Sequence, residues 1–96
     1  MRNQEVAEMF VCGKPAKGSN MYTDGDKLFS WQTIIAQRTA NGFIYNGCKY
    51  SVSTSRHQSH LRSALQGYRY TEITEGVSRG ERDLTKYTNR KRKGAA

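Results

Sequence analysis

The chain has 96 residues, with sixteen Lys/Arg against eight Asp/Glu, a formal net charge of +8 and a mean hydropathy of −0.85. A chain this short buries roughly 60 to 65% of its unfolded surface, which leaves room for one sheet and one or two helices and excludes a second domain. No apolar run approaches the roughly 18 to 20 residues of a membrane-crossing helix, and Met1-Arg2-Asn3-Gln4-Glu5 lacks the basic start and apolar block of a signal peptide. An intracellular, cytoplasmic protein with no membrane partner is expected.

Asn3 is placed to cap a short helix over Gln4 to Cys12, with Val6, Met9 and Phe10 on its inner side and Gly13 as its stop. The run from Lys14 to Asn20 is punctuation. Met21-Tyr22-Thr23 and Asp26-Lys27-Leu28 then flank Asp24-Gly25, a two-residue hairpin signal. A second hairpin pairs Trp31–Ala40 with Phe43–Val52 around Asn41-Gly42. In that register Phe29, Trp31, Thr33, Ile35, Ile44, Cys48, Tyr50 and Val52 share one face, joined by Tyr22, and form the expected core. The opposite face carries Gln32, Ile34, Ala36, Arg38, Phe43, Tyr45, Lys49, Ser51 and Ser53, and is the expected binding surface. Asn46-Gly47 is a further turn or bulge signal that would change the facing of everything after it.

Ser53-Thr54-Ser55 offers an N-cap for a helix over Arg56 to Gln66, ended by Gly67. At 100° per residue, His57, Leu61, Ala64 and Leu65 fall on the inner side, and Arg56, Ser59, His60, Ser63 and Gln66 on the outer, with Arg62 at the boundary. His57 is then half-buried and His60 exposed. Tyr68–Ile73 alternates as a fourth strand, and Ser78-Arg79-Gly80-Glu81 has the spacing of a capping box for a short helix through Leu84 and Tyr87. The expected fold is α+β, residues 1–87 forming one domain: an antiparallel meander of three to four strands packed against one main helix, with a short N-terminal helix. Residues 88–96 form a flexible basic tail containing Arg90, Lys91, Arg92 and Lys93.

The charge is lopsided. Residues 1–48 hold five Lys/Arg and four Asp/Glu, a net +1, whereas residues 49–96 hold eleven and four, a net +7. Such a field attracts polyanions, of which nucleic acid is the commonest inside a cell. Arg38, Phe43, Tyr45 and Lys49 on the sheet, Arg56, His60 and Arg62 on the helix, and Arg90, Lys91, Arg92 and Lys93 on the tail are the candidate nucleic-acid contacts, aromatics stacking on bases and cations holding phosphates. Cys12 and Cys48 read as reduced thiols, and neither their spacing nor the His57/His60 pair matches a metal site. No cofactor motif is present, and Ser59 beside His60 is no nucleophile and base, since adjacent helix residues point apart. A non-enzymatic protein is expected.

Leu28-Phe29-Ser30-Trp31-Gln32-Thr33-Ile34-Ile35-Ala36, Lys49-Tyr50-Ser51-Val52-Ser53-Thr54-Ser55 and His57-Gln58-Ser59 resemble a family of small, mostly uncharacterised phage and plasmid proteins. In that family an aromatic-Ser-aromatic-x-Thr-x-Ile-Ala strand precedes a Tyr-Ser-x-Ser/Thr-Thr-Ser segment and a helix. The resemblance covers about half the chain, implies a mobile-element origin and a bacterial host cytoplasm, and brings no site residues with it. Two functions fit: a nucleic-acid-binding protein, for DNA or RNA, or an anti-defence inhibitor of the anti-CRISPR type that binds a host protein complex through the same face. An edge strand offers a route to a homodimer.

Overall fold

The computed structural model describes residues 2–40 and 42–87. The strands β1 (Ala16–Lys17), β2 (Met21–Thr23), β3 (Lys27–Ser30), β4 (Thr33–Thr39), β5 (Gly42–Asn46) and β6 (Tyr70–Ile73) form one six-stranded sheet in chain order. Neighbouring strands are antiparallel except β6, which runs parallel to β5 and is reached by a crossover through a helix, as parallel pairing demands. The α+β class is as expected, with more strands than the three to four foreseen.

Two helices, α1 (Asn3–Val11) and α2 (Val52–Ala64), cover one face. The Glu5 carboxylate accepts the Arg2 N–H at 2.9 Å, so the cap is Arg2 and α1 begins at Asn3, one residue earlier than expected. Ser51, not the 53–55 run, caps α2 by accepting the Thr54 N–H at 3.2 Å, which starts that helix at Val52 rather than Arg56. Val6, Ala7 and Phe10 of α1 and Leu61 of α2, with Leu65 beyond its end, meet Met21, Leu28, Ala36, Phe43 and Tyr45 in one core. On the other face Phe29, Ile34, Ile44 and Ile73 are covered by Val77, Leu84 and Tyr87 from the chain's return across the sheet. That return is irregular, ending in a 3₁₀ turn over Thr85–Tyr87, and not the short α-helix expected from Ser78 onward.

The helices cover the face expected as the binding surface, and the chain's return covers the face expected as the core, so both faces are buried. The expected continuation of strand from Asp26-Lys27-Leu28 into Trp31–Ala40 breaks at Trp31-Gln32, a two-residue loop closing β3 onto β4 with Ser30 opposite Thr33. Leu28 pairs with Ala36 and Phe29 with Ile34, which leaves Ile35 as the extra residue of a bulge. The bulge exchanges Ile34 and Ile35 between the faces, while Ala36, Phe43 and Tyr45 stay grouped, under the helices, and Phe29 and Ile44 stay grouped on the other face. Trp31 and Val52, expected in the core, are 53% and 74% exposed. Thr39 pairs with Gly42, a register two residues from the expected Ala40–Phe43 pair; Asn41 lies outside the described residues.

β5 ends at the Asn46-Gly47 signal. Asn46, fully buried, donates to the Ile34 carbonyl at 2.8 Å and the Tyr50 hydroxyl at 3.0 Å, and accepts the Cys48 N–H at 3.0 Å. Gln58 of α2 donates to the carbonyls of Asn46 and Cys48 at 2.7 and 2.9 Å. Backbone that would orphan its polar groups on leaving the sheet is thus satisfied by two buried amides.

Candidate nucleic-acid interface

Several of the expected contacts are structural. Arg38 donates to the carbonyls of Phe10 and Val11 at 2.5 and 3.2 Å and to that of Gly25 at 3.4 Å, with its guanidinium over the Phe10 and Phe43 rings at 5.8 and 5.0 Å. It supplies the positive charge that the last turn of α1 lacks, where a helix exposes carbonyls. Phe43 and Tyr45, expected on the binding surface, are 5% and 2% exposed beneath the helices. The Tyr45 hydroxyl accepts from Arg62 at 2.8 Å, and burial pushes its pKa up against the opposing pull of that guanidinium. His60, expected to be exposed, is half-buried and shares a 2.8 Å hydrogen bond with Gln4 of α1. Lys49, Arg56 and Arg62 are exposed as expected. Arg90, Lys91, Arg92 and Lys93 lie outside the described residues.

The surface that emerges instead is built around Trp31. Its φ of +58° makes it the sole non-glycine residue with positive φ among the described residues, and the first central residue of the β3–β4 turn. Its N–H donates to the Asn20 carbonyl at 2.8 Å. The preceding Ser30, fully buried, hydrogen-bonds to Thr54 at 3.1 Å and to His57 Nδ1 at 2.6 Å, which pins the turn to the first two turns of α2. Burial is the larger of two influences that lower the His57 pKa, the charge of His60 the smaller, so the imidazole in this anchor is neutral at pH 7. A serine and an imidazole at that distance resemble a nucleophile and its base, yet both are sealed in the interior, and their contact fixes the turn.

Two grooves meet at this turn, and a third adjoins the second. One of about 370 Å³ is lined by Trp31, Gln32, Thr33, Arg79, Gly80 and Arg82. A second, of about 250 Å³, runs from Lys17 to Tyr22 on the other side of Trp31 and Gln32. A third, of about 570 Å³ along Pro15, Ala16 and Thr23, shares Lys17 and Tyr22 with the second. The indole of Trp31 therefore stands as a wall within one trough that is bordered by three cations.

Layered aromatics and cations support that trough. Tyr22, 37% exposed, stacks on Phe29 with centroids 5.0 Å apart and planes 10° apart. Arg82 lies over Phe29 at 5.3 Å and Arg79 over Tyr50 at 5.8 Å, whose hydroxyl donates to the Val77 carbonyl at 2.6 Å. Burial pushes the Tyr50 hydroxyl up to about 12, so it stays protonated as that donor. Glu81, between the two arginines in sequence, takes the Tyr87 hydroxyl at 2.6 Å and the Lys86 ammonium at 3.2 Å. Those bonds, led by the Tyr87 hydroxyl, hold its carboxyl down at about 2. The ion pairs among the described residues are Arg38–Asp26 and Lys86–Glu81, so Lys17, Arg79 and Arg82 carry no carboxylate partner there.

Fold and site thus define a small α+β domain with a basic, aromatic trough at a hairpin tip. Residues 6–79, well over half of the chain, match the family of unknown function DUF8033, and the protein belongs to that family. No curated protein and no solved structure matches the chain at a significant level.

Proposed function

We propose that the protein is a small, non-enzymatic, single-strand nucleic-acid-binding protein of phage or plasmid origin, acting in the host cytoplasm through the trough around Trp31. The observation that carries this reading is Trp31 itself: a large apolar side chain, half exposed, held at a positive φ that an L-residue adopts at a cost. Strain of that kind persists where surrounding structure enforces it, and it clusters at binding sites. The indole of Trp31 and the ring of Tyr22, which line one groove, offer successive platforms for unpaired bases, each worth about 1 to 3 kcal/mol. Lys17, Arg79 and Arg82 are placed for the phosphates, the arginines with their forked geometry.

Trp31 is the one tryptophan in the chain, so its fluorescence reports on this site directly. Titration with an oligothymidylate should quench it, and three phosphate contacts predict a log–log salt slope of about −2 for a single strand. Arg79→Ala with Arg82→Ala should flatten the slope. Absence of quenching at low salt, combined with quenching by a host protein fraction freed of nucleic acid, would replace this reading with that of an anti-defence inhibitor.

A further inference from the structure

We infer that the chain carries a second nucleic-acid site, formed by Arg62, Tyr68, Arg69 and Tyr70, so that one molecule holds two separate strands. The inference rests on the function proposed above. Where α2 hands over to β6, these residues line a groove of about 530 Å³ with Leu65, Gln66 and Gly67. Tyr68 is 49% exposed and rests edge-on against Phe43, with centroids 5.7 Å apart and an interplanar angle of 85°. Tyr70 meets Tyr45 edge-on at 6.2 Å and 89°. Arg62 is oriented by its 2.8 Å bond to the Tyr45 hydroxyl, which occupies one of its five donors. Arg69 is held through its backbone, whose carbonyl accepts the Phe43 N–H at 3.0 Å and abuts Gly42.

The groove is therefore assembled in advance, with two guanidiniums and two phenol rings and no acidic residue in its lining. Glu72, two residues along β6 on the side of Tyr70, pairs with neither arginine. At the turn the Cα of Gly67 faces open space, so a ligand can approach the backbone there. Two forked cations beside one exposed and one half-buried ring repeat the chemistry of the Trp31 trough, which favours phosphates joined to bases over a plain carboxylate.

The two sites are poles of the molecule. β4 leaves Trp31 and ends at Thr39, which pairs with Gly42, and Tyr70 pairs with the next residue, Phe43. About seven strand residues, roughly 20 Å, separate the sites within a molecule 34 Å long.

Native mass spectrometry with oligothymidylate of four nucleotides tests this. The wild-type chain should bind two oligonucleotides. Trp31→Ala should bind one, and Tyr68→Ala with Arg69→Ala should bind one while keeping full tryptophan quenching. The altered side chains are exposed, and circular dichroism checks that the variants fold. Saturation at one oligonucleotide, lost in Trp31→Ala, would overturn the second site and leave the proposed function standing. No binding by the wild type would overturn both. Binding of an acidic peptide at the Tyr68 site, with no oligonucleotide bound there, would also overturn the inference.

Discussion

Replacing Trp31 by Ala and, separately, by Gly separates the strain at this residue from its contacts. About half of a side chain of ~250 Å² is covered, so roughly 120 Å² at about 25 cal/mol per Å² sets an upper bound near 3 kcal/mol on what either change removes. A compact denatured state lowers that to about 2 kcal/mol. Both variants lose the same contacts, so their difference isolates the backbone. At an ordinary extended position Gly is less stable than Ala by about 0.5 to 1 kcal/mol, because it has more freedom to lose. At φ +58° Ala keeps a left-handed strain of about 1 to 2 kcal/mol that Gly does not feel. The order should invert, with Trp31→Gly the more stable by about 0.5 to 1 kcal/mol in urea melts followed by far-UV circular dichroism. Fluorescence anisotropy of a labelled oligonucleotide should show both variants weakened by about 1 to 3 kcal/mol. An Ala variant as stable as the Gly variant would refute the strain argument. A loss above about 4 kcal/mol would return Trp31 to the core, and unchanged affinity would remove it from the site.

Burial keeps the His57 pKa below its ordinary 6.5, so the unfolded chain takes up that proton first. Stability should fall as pH drops through about 6.5, level off once the folded imidazole protonates, and lose this slope in His57→Gln, as read by denaturant midpoints from pH 8 to 5. A Cβ at Gly42 would collide with the Arg69 carbonyl oxygen at a φ of +149°, so Gly42→Ala should destabilise by about 3 kcal/mol. Gly67→Ala, whose Cβ meets nothing within 4 Å, should cost about 1 kcal/mol from its positive φ alone; equal costs would place the β5–β6 contact elsewhere. Phe43→Ala and Tyr45→Ala should each cost about 3 to 5 kcal/mol, as buried aromatics do, whereas Tyr45→Phe should cost about 1 kcal/mol for the bond to Arg62. Loss of binding by a fully stable Phe43→Ala would argue against its place under the helices.

Periodicity carries the fold further than the faces. Both helices, the strand pair around Asp24-Gly25, the edge strand after Gly67 and the end of the hairpin at Asn46-Gly47 are legible because each rests on local chemistry: a cap, a glycine, a run of alternating residues. Side-chain facing has period two, so an unseen break misplaces the residues beside it: Trp31 leaves the core and Ile34 and Ile35 exchange faces. The break at Trp31-Gln32 carries none of the Gly, Asn or Asp that such turns usually use. Ser30, Trp31, Gln32 and Thr33 read as strand residues, and the turn is imposed by long-range bonds from Thr54 and His57, invisible to a local pattern.

Long-range packing also decides what Arg38, Phe43 and Tyr45, expected on the binding surface, do in the fold. Aromatic and basic residues alternate in Arg38, Phe43 and Tyr45 as they do in a stacking surface, but here the cation serves the carbonyls of a helix end and the rings fill a core. Composition cannot distinguish a guanidinium that caps a helix from one that awaits a phosphate. What distinguishes them is whether a partner is already present. Arg38 has three carbonyls and a nearby carboxylate, while Arg79 and Arg82, among the described residues, lie over aromatic rings and line an open groove. The sequence hides Arg79 and Arg82 further by setting them around Glu81, whose charge nominally offsets one of them. Only the fold shows that carboxylate committed to Tyr87 and Lys86 and not to the arginines on either side of it.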